Sequence, residues 1–592
     1  MINKWILNNF KAINQQKVLN FRPLTIFTGA NSSGKSTILQ SILLVTQTLQ
    51  DQIESRSIVL NGWFKKFGTY SDIVFHREDE RNIEIGFEIE EDEEKAFCDF
   101  VLSSDGGKKD LLLPVLERLC IKTYGADERR GSELYVEHNP QRDEELKEVI
   151  EQGKKEYGEG YFDYGISLSG ILPQYSFRRE QMGTPIGCNL SHFLPENVVH
   201  YTPYREYMKE KLMYLLLYDH DWKYELEERD RLLLRPLLKE KAIEILEELR
   251  GKGKLEYFNQ EKYDKRIAGL RKRFTLQGFD YVFRRCNLNI EEKREYIYTL
   301  LQKLYGLPDK YLFDREKLEF SHTGVSSVKH FFCNRIKYLG PLREEPKSFY
   351  QLDTSSTPME LGLKGENTAA VFENNKTRII NYVDPSYFEN GAKGEPKIVQ
   401  GKLAVAVMKW LVYLGVAQNV KTYDRGMIGH SLKITNELGD MRQDLTHVGV
   451  GVSQVLPILV MAFLAGKGDV IILEQPELHL HPKVQTRLAD FFVSMTQLGK
   501  QCLIETHSEY FINRLRYRVA VADNDSVANN TMIYFVEKDR SEGVSKYREV
   551  TINRYGVIED WPEGFFDEGE RIAAEILRAG MQKKMQEEEY EE

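Results

Sequence analysis

The sequence predicts an α/β protein: a sheet core built in two pieces, split by a long, mainly helical insertion and followed by a small C-terminal extension. Three observations carry this reading. Short apolar runs alternate with helix-period segments near both ends, over 1–50 and 403–505. Between about 103 and 330 the texture changes to long charged stretches. A glycine-bounded turn, Gly29 to Gly34, lies where the first apolar run hands over to the first helix-period run. The expected domains are 1–102 and 331–520 as the two parts of the core, 103–330 as the insertion, and 521–592 as the extension with its tail. A chain of 592 residues is long enough for two to four domains.

Composition excludes several classes. With 41% hydrophobic and 29% charged residues the chain is neither disordered nor fibrous. A net charge of −10 argues against coating nucleic acid by bulk charge and leaves only local basic patches. Cys98, Cys120, Cys188, Cys286, Cys333 and Cys502 form no CxxC pair, so neither a zinc knuckle nor a disulfide framework is expected. The start, Met1-Ile2-Asn3-Lys4-Trp5, lacks the basic-then-apolar layout of a signal peptide. The most apolar stretch, Val455 to Leu473, is broken by Gly466-Lys467-Gly468-Asp469, which makes it two segments and not a membrane span. A cytosolic protein without a membrane partner is expected.

The elements follow in order. Residues 1–28 alternate polar and apolar and end in the run Leu24-Thr25-Ile26-Phe27-Thr28, a buried strand. Residues 34–50 have helical spacing, and strand signals return at 83–89. The insertion reads as charged helices, such as Tyr204 to Arg250, without sustained heptads. Afterwards come helix 403–414, strand 432–435, a helix beginning near Ser453, strand 470–473, helix 483–496 and strand 502–505. The acidic end, 587–592, reads as a solvated tail.

Gly29-Ala30-Asn31-Ser32-Ser33-Gly34-Lys35-Ser36-Thr37 fits G-x-x-x-x-G-K-[ST], and it follows a strand and opens a helix. Glycines let the backbone wrap a phosphate so that N–H groups point inward. Gly29, Asn31, Ser33, Gly34, Lys35, Ser36 and Thr37 are therefore the candidate nucleotide-binding residues, with Lys35 on the β/γ-phosphates and Ser36 on Mg²⁺. The helix N-terminus favours the anion.

Val470 to Glu474 is an apolar strand ending in a carboxylate, the shape that delivers an acid to a Mg²⁺ shell. Another strand ends at Glu505-Thr506-His507-Ser508, where His507 is the candidate γ-phosphate contact. His479 and His481 suggest a metal pair, but no third ligand is near in sequence.

The phosphate loop, GVGVSQ (449–454), ILEQPELHLHP (472–482) and ETHS (505–508), in this order, resemble the ABC-type heads of SMC-like and RecF-like ATPases. Within these the chain is similar to bacterial ATPases related to the overcoming-lysogenization-defect proteins, supported by the stretches 338–346 and 362–366. The segment 560–567 resembles the C-terminal extension of a subgroup of unknown function. The resemblance covers roughly 1–100 and 331–570 and leaves the insertion uncovered. It implies ATP and Mg²⁺ as cofactors. It also implies a homodimer, or a higher homo-oligomer, with ATP sandwiched between the phosphate loop of one chain and Gly449, Gly451, Ser453 and Gln454 of another. That signature departs from the usual LSGGQ. The resemblance further implies an antiphage-defence switch that holds or licenses a nuclease or toxin as effector. A DNA-repair ATPase acting on DNA, or a scaffold that binds ATP without hydrolysis, are the alternatives.

One departure concerns catalysis. Where such heads carry a water-positioning glutamate after the Mg²⁺-linked acid Glu474, this chain has Gln475. Glutamine orients water but takes no proton. Either hydrolysis is slow, or Glu477 substitutes, or the glutamine was introduced to trap ATP. Asp72 is the candidate for the further Mg²⁺ contact expected before residue 90. A metal-nuclease domain is not expected, since in Asp523-Asn524-Asp525 the acidic pair precedes its candidate glutamate Glu537 and few residues remain. Residues 252–285 carry ten basic and four acidic residues with interleaved aromatics, a candidate DNA or RNA contact.

Overall fold

The computed structural model describes residues 1–78, 81–91, 94–104, 113–124, 131–141, 143–170, 183–217, 226–254, 259–318, 324–347, 361–392, 394–424, 430–435, 443–444, 451–539, 541–559, 561–562 and 568–591. Contacts divide the chain into two compact units, one made of 1–135, 190–194 and 319–592, the other of 136–189 and 195–318.

The first unit holds a six-stranded sheet. Its strands are β1 (Leu24–Gly29), β2 (Ile336–Leu339), β3 (Val470–Glu474), β4 (Gln501–Glu505), β5 (Thr531–Lys538) and β6 (Ser545–Val550). Their spatial order is β2-β3-β4-β1-β5-β6. The first five run parallel, and β6 returns antiparallel as a hairpin on β5. The helices are α1 (Lys35–Gln50), α2 (Leu403–Leu414), α3 (Gly451–Leu464), α4 (Pro482–Gln497) and α5 (Glu509–Val521). Every residue of β3 and β4 is buried, which explains their unbroken apolar runs, because parallel strands are covered on both faces. In α3 all residues from Val452 to Leu464 are buried, as a helix that is apolar all round requires.

Two buried polar groups of this core show how it is tied together. Asp490 of α4 is fully buried and accepts from Arg518 Nε at 2.6 Å, Arg514 Nη2 at 2.8 Å and Tyr413 Oη at 2.5 Å. Gln501 of β4 exchanges two 2.7 Å bonds with the backbone of Ile2. Ile2–Asn8 belongs to an antiparallel set with Lys17–Asn20, Ile83–Glu91, Glu94–Ser103 and Val115–Tyr124.

The second unit is helical over Tyr204–Leu217, Glu228–Gly251, Gln260–Lys272, Leu276–Phe283 and Ile290–Leu301. These helices close on a core that includes Leu212, Leu238, Leu246, Phe279 and Leu300. Leu194–Pro203 pairs antiparallel with Tyr311–Lys317.

The strands expected at 24–28, 470–473 and 502–505, and the helices at 34–50, 403–414 and 483–496, coincide within one residue with β1, β3, β4, α1, α2 and α4. The insertion differs from its expected texture. Strands occupy Val115–Tyr124, Gly131–His138, Tyr164–Gly170, Thr184–Ser191 and Leu194–Pro203, and helices dominate only from Tyr204. In Val115–Tyr124 the buried Leu116, Leu119 and Ile121 are interrupted by Glu117, Arg118 and Cys120 and followed by Lys122, so a strand pattern lies among charges that read as a helix surface.

The candidate nucleic-acid segment 252–285 is largely consumed by the second unit's own fold. Tyr263, Phe274, Phe279 and Phe283 are core residues. Lys252, Lys254, Lys265, Arg271 and Arg284 are ion-paired with Glu248, Glu292, Glu261, Glu247 and Asp280. Among the segment's described rings Tyr281 is the exposed one, with Arg266 and Arg285 over it at 4.7 and 3.6 Å. Tyr257 and Phe258 lie outside the described residues. Among the described residues no helix is long and apolar enough to cross a membrane.

Candidate functional site

The turn from β1 to α1 carries the glycine-bounded motif. Gly29 has φ +138° and Gly34 φ +100°, conformations that L side chains rarely adopt. Space forbids a side chain as well: a Cβ on Gly29 would lie 2.2 Å from Val536 O, and one on Gly34 would lie 2.1 Å from Ser545 Oγ. Gly34 directly precedes α1, so the first N–H groups of the helix lack intrahelical partners at the loop. Lys35 is 3% exposed, and its Nζ donates to Gly29 O at 3.2 Å and Ala30 O at 2.5 Å. Burial lowers its pKa, opposed by Glu505 and Glu477.

A cavity of about 640 Å³ joins this loop to the ends of β3 and β4. Asn31, Lys35, Ser36 and Thr37 line it from one side, and Gln475, Glu505 and His507 from the other. Gly34 is also at its wall, while Ser33 is buried beneath with no partner for its Oγ among the described residues. Two bonds from the last strand close the loop's outer side: Ser545 Oγ donates to Ser33 O at 2.6 Å and Tyr547 Oη donates to Gly34 O at 2.7 Å.

Three carboxylates collect at this end of the sheet, one of them on the cavity wall. Glu505 ends β4 and bonds Ser36; burial pushes its carboxyl up to about 7, with Glu474 and Glu477 adding and Ser36 and Lys35 opposing. Its Oε2 has no partner among the described residues. Glu474 ends β3 in register with Glu505 and accepts from Tyr338 Oη at 2.7 Å. Glu477 accepts from the His507 backbone N–H at 2.6 Å, and burial raises its pKa. Of the three, Glu505 lines the cavity and Glu474 and Glu477 do not. Gln475 holds φ +45°, its N–H bonded to Glu505 O at 2.8 Å, and this turn carries its side chain to the cavity. His507 has its pKa lowered by burial and by Lys35, which favours a neutral imidazole.

Cations face these acids. Arg343 is 7% exposed, and none of its three guanidinium nitrogens has a partner among the described residues. Burial lowers its pKa to about 10, opposed by Tyr338, Glu474 and Glu477. Lys11 donates to Gln40 Oε1 at 2.5 Å, and burial, with Lys65, lowers its pKa to about 8 while Glu474 and Asp72 oppose.

The other sequence candidates lie elsewhere. Asp72 does not line the cavity; its carboxylate caps its own short helix by accepting from Thr69 N and Oγ1 at 2.9 Å, and it pairs with Arg77 at 3.4 Å. Ser453 and Gln454 are buried in α3, Gly451 begins that helix, and Gly449 lies outside the described residues. His481 caps α4, its Nδ1 accepting from Lys483 N at 3.2 Å.

A family described as "AAA ATPase domain" matches residues 1–169 and 352–512, more than half of the chain. The chain belongs to this AAA ATPase domain family. Residues 528–576 match a second family, described as a protein of unknown function, DUF3696. An uncharacterized protein of Methanocaldococcus jannaschii is 36% identical over 74 residues, which is 12% of this chain and 9% of that protein's length. Among solved structures, an Smc head domain from Pyrococcus furiosus, bound to the C-terminal domain of ScpA, covers 97% of this chain and 99% of its own at 13% identity and TM-score 0.29. The SMC head domain from Thermotoga maritima covers 93% and 99% at 8% identity and TM-score 0.32. Scores this low assign no role to any residue of this chain.

In this AAA ATPase domain the cavity fits a nucleotide's phosphates and a divalent cation. The glycine cradle admits no Cβ, and an orphaned carboxylate oxygen stands beside a hydroxyl. Among the described residues no cluster of three or more His, Cys, Asp or Glu side chains would hold a metal by itself. That donor set suits Mg²⁺, which takes one or two carboxylates and completes its shell with phosphate oxygens and water. Glu505, Arg343, Lys11, Ser545 and Tyr547 had no role in the sequence reading. The signals were an acid ending the strand before His507 and an arginine inside 338–346.

Proposed function

We propose that this chain is an ATP-binding, slowly hydrolysing ATPase head that closes on a second copy and acts as a nucleotide-gated switch for a separate effector. The supporting observation is the meeting of Lys35, Ser36 and Glu505 on one cavity at the N-terminus of α1. Lys35 and the loop N–H groups would hold the β/γ-phosphates, and Asn31 and Thr37 on the cavity wall, with Ser33 buried beneath, would complete the cradle. Ser36 and Glu505, with Glu474 behind, would hold Mg²⁺, which when bound neutralises phosphate charge and polarises the reacting bond. Gln475 orients water with an amide that accepts no proton, so turnover is slow. Glu477 braces the His507 backbone and leaves the imidazole facing the cavity. Gly449, Gly451, Ser453 and Gln454 of a second copy would cover the γ-phosphate. The motif resemblance to the overcoming-lysogenization-defect ATPases supports a setting in bacterial antiphage defence with a nuclease or toxin as effector.

The test is equilibrium titration of parent and Lys35→Ala with labelled ATP·Mg²⁺, paired with light scattering. The parent binds and gains mass on nucleotide, and Lys35→Ala loses binding. Equal affinity in the two proteins would remove the phosphate-loop assignment. A parent mass that does not change with nucleotide would remove the gated closure.

A further inference from the structure

We infer that the C-terminal hairpin, β5 and β6, is a working part of the nucleotide site, with Ser545 and Tyr547 as positioning residues that hold the phosphate loop in its anion-binding shape. The inference rests on the nucleotide-binding reading above.

A loop that turns its N–H groups inward around an anion must turn carbonyls outward. Buried carbonyls then need donors. Ser33, buried, and Gly34, half-buried, are consecutive loop residues whose carbonyls both receive hydroxyl donors from β6, Ser545 Oγ at 2.6 Å and Tyr547 Oη at 2.7 Å, and Gly34 O also accepts from Thr37 N at 3.0 Å. The two donors sit at i and i+2 of one strand and so point to the same face. Ser545 and Tyr547 are 4% and 7% exposed, so water is not a ready substitute at either bond. Burial raises the Tyr547 phenol well above its ordinary range and keeps it a donor.

The hairpin and the loop are fitted backbone to backbone. Val536 of β5 pairs in register with Gly29, and its carbonyl is the atom a Cβ on Gly29 would strike at 2.2 Å. Ser545 Oγ is the atom a Cβ on Gly34 would strike at 2.1 Å. The hairpin is anchored independently: six β5–β6 register pairs hold it, and Ser545 N donates to Ala12 O at 2.7 Å. Both glycines of the motif therefore owe their lack of a side chain partly to this hairpin. The hairpin falls within residues 528–576, the region matching a family of unknown function. Completing the phosphate cradle is a role for that region.

The test uses the full chain with four variants: Tyr547→Phe, Ser545→Ala, their double, and Tyr534→Phe as control. Tyr534 is on β5, is 1% exposed and donates to Asn20 O at 2.9 Å, away from the loop. Its hydroxyl also accepts from Asn20 N at 2.9 Å and bonds Glu549 Oε1 at 3.1 Å, so its loss removes at least as much hydrogen bonding from the same hairpin. ATP·Mg²⁺ affinity and urea stability are measured for each, and KM and kcat where turnover is detectable. The expected result is that Tyr547→Phe and Ser545→Ala each weaken ATP·Mg²⁺ about tenfold. The loss should appear in KM. Tyr534→Phe should lose similar stability and keep parent affinity. If Tyr534→Phe weakens ATP as much as Tyr547→Phe, the hairpin acts only through general stability and the inference is overturned. Parent affinity in both loop-facing variants overturns it too, and Ser545→Ala decides alone if Tyr547→Phe does not fold. A parent that binds no ATP overturns the nucleotide reading itself, a result distinct from the other two.

Discussion

Replacing Glu505 by glutamine should change both the pH dependence of stability and the response to Mg²⁺, in opposite directions. Glu505 is 3% exposed, and burial, with Glu474 and Glu477, lifts its carboxyl from 4.5 to about 7. The folded state therefore holds this proton more tightly than the unfolded state. The stability it contributes is fully present below pH 4.5 and is lost as pH rises to about 7. A shift of that size corresponds to about 3 kcal/mol. Glu505→Gln keeps the shape and removes the charge, so without metal it should match the parent near pH 4. At pH 8 it should be the more stable by up to about 3 kcal/mol. Urea denaturation of both proteins across this range is the assay. ATP·Mg²⁺ should then reverse the order at pH 8, because a divalent cation offsets the crowded carboxylates only where a carboxylate remains to meet it. A stability gap that does not change with pH would refute the buried, proton-holding carboxyl. An equal gain from ATP·Mg²⁺ in parent and variant would refute the contact with the metal.

Three further outcomes are expected. Gln475→Glu should raise kcat, since a carboxylate takes the proton an amide refuses; steady-state phosphate release measures it, and a flat or lower kcat moves the general-base role elsewhere. Asp490→Ala should destabilise the first unit by about 3–5 kcal/mol, because it strands Arg514 and Arg518 in the core; denaturation midpoints measure it, and a loss below about 1 kcal/mol would mean that water replaces the carboxylate. Gly451→Arg should leave ATP binding intact and block the nucleotide-dependent gain in mass. Among the described residues a Cβ there meets Val416 Cγ1 alone, at 3.8 Å, an ordinary contact, whereas Ser453 is 7% exposed and an arginine there would disturb packing. Light scattering with ATP·Mg²⁺ checks it, and undiminished closure would remove the signature assignment.

The part of the site that was legible in sequence is the part whose chemistry is local. Gly29 to Thr37 contains its own turn, its own helix start and its own cation, so spacing alone announces it. Val470–Glu474 was legible for a related reason: a strand buried on both faces has to be apolar throughout, and the acid that ends such a run stands out. Asp72 is taken up by its own helix, since a carboxylate in a short helix's first turn serves the backbone just as readily as a metal. In 252–285 a ring spaced for a base is also a ring spaced for a core, and Phe279 and Phe283 belong to the core. Ser545 and Tyr547 were beyond any local pattern. They meet Ser33 and Gly34 across 512 and 513 residues of chain, through hydroxyls that a strand places on whichever face its register dictates. A one-residue slip of β6 against β5 would turn both hydroxyls away from the loop at once. On the proposed nucleotide reading, the shape of the Gly29–Thr37 loop therefore depends on the register of a hairpin that contributes no residue to the motif.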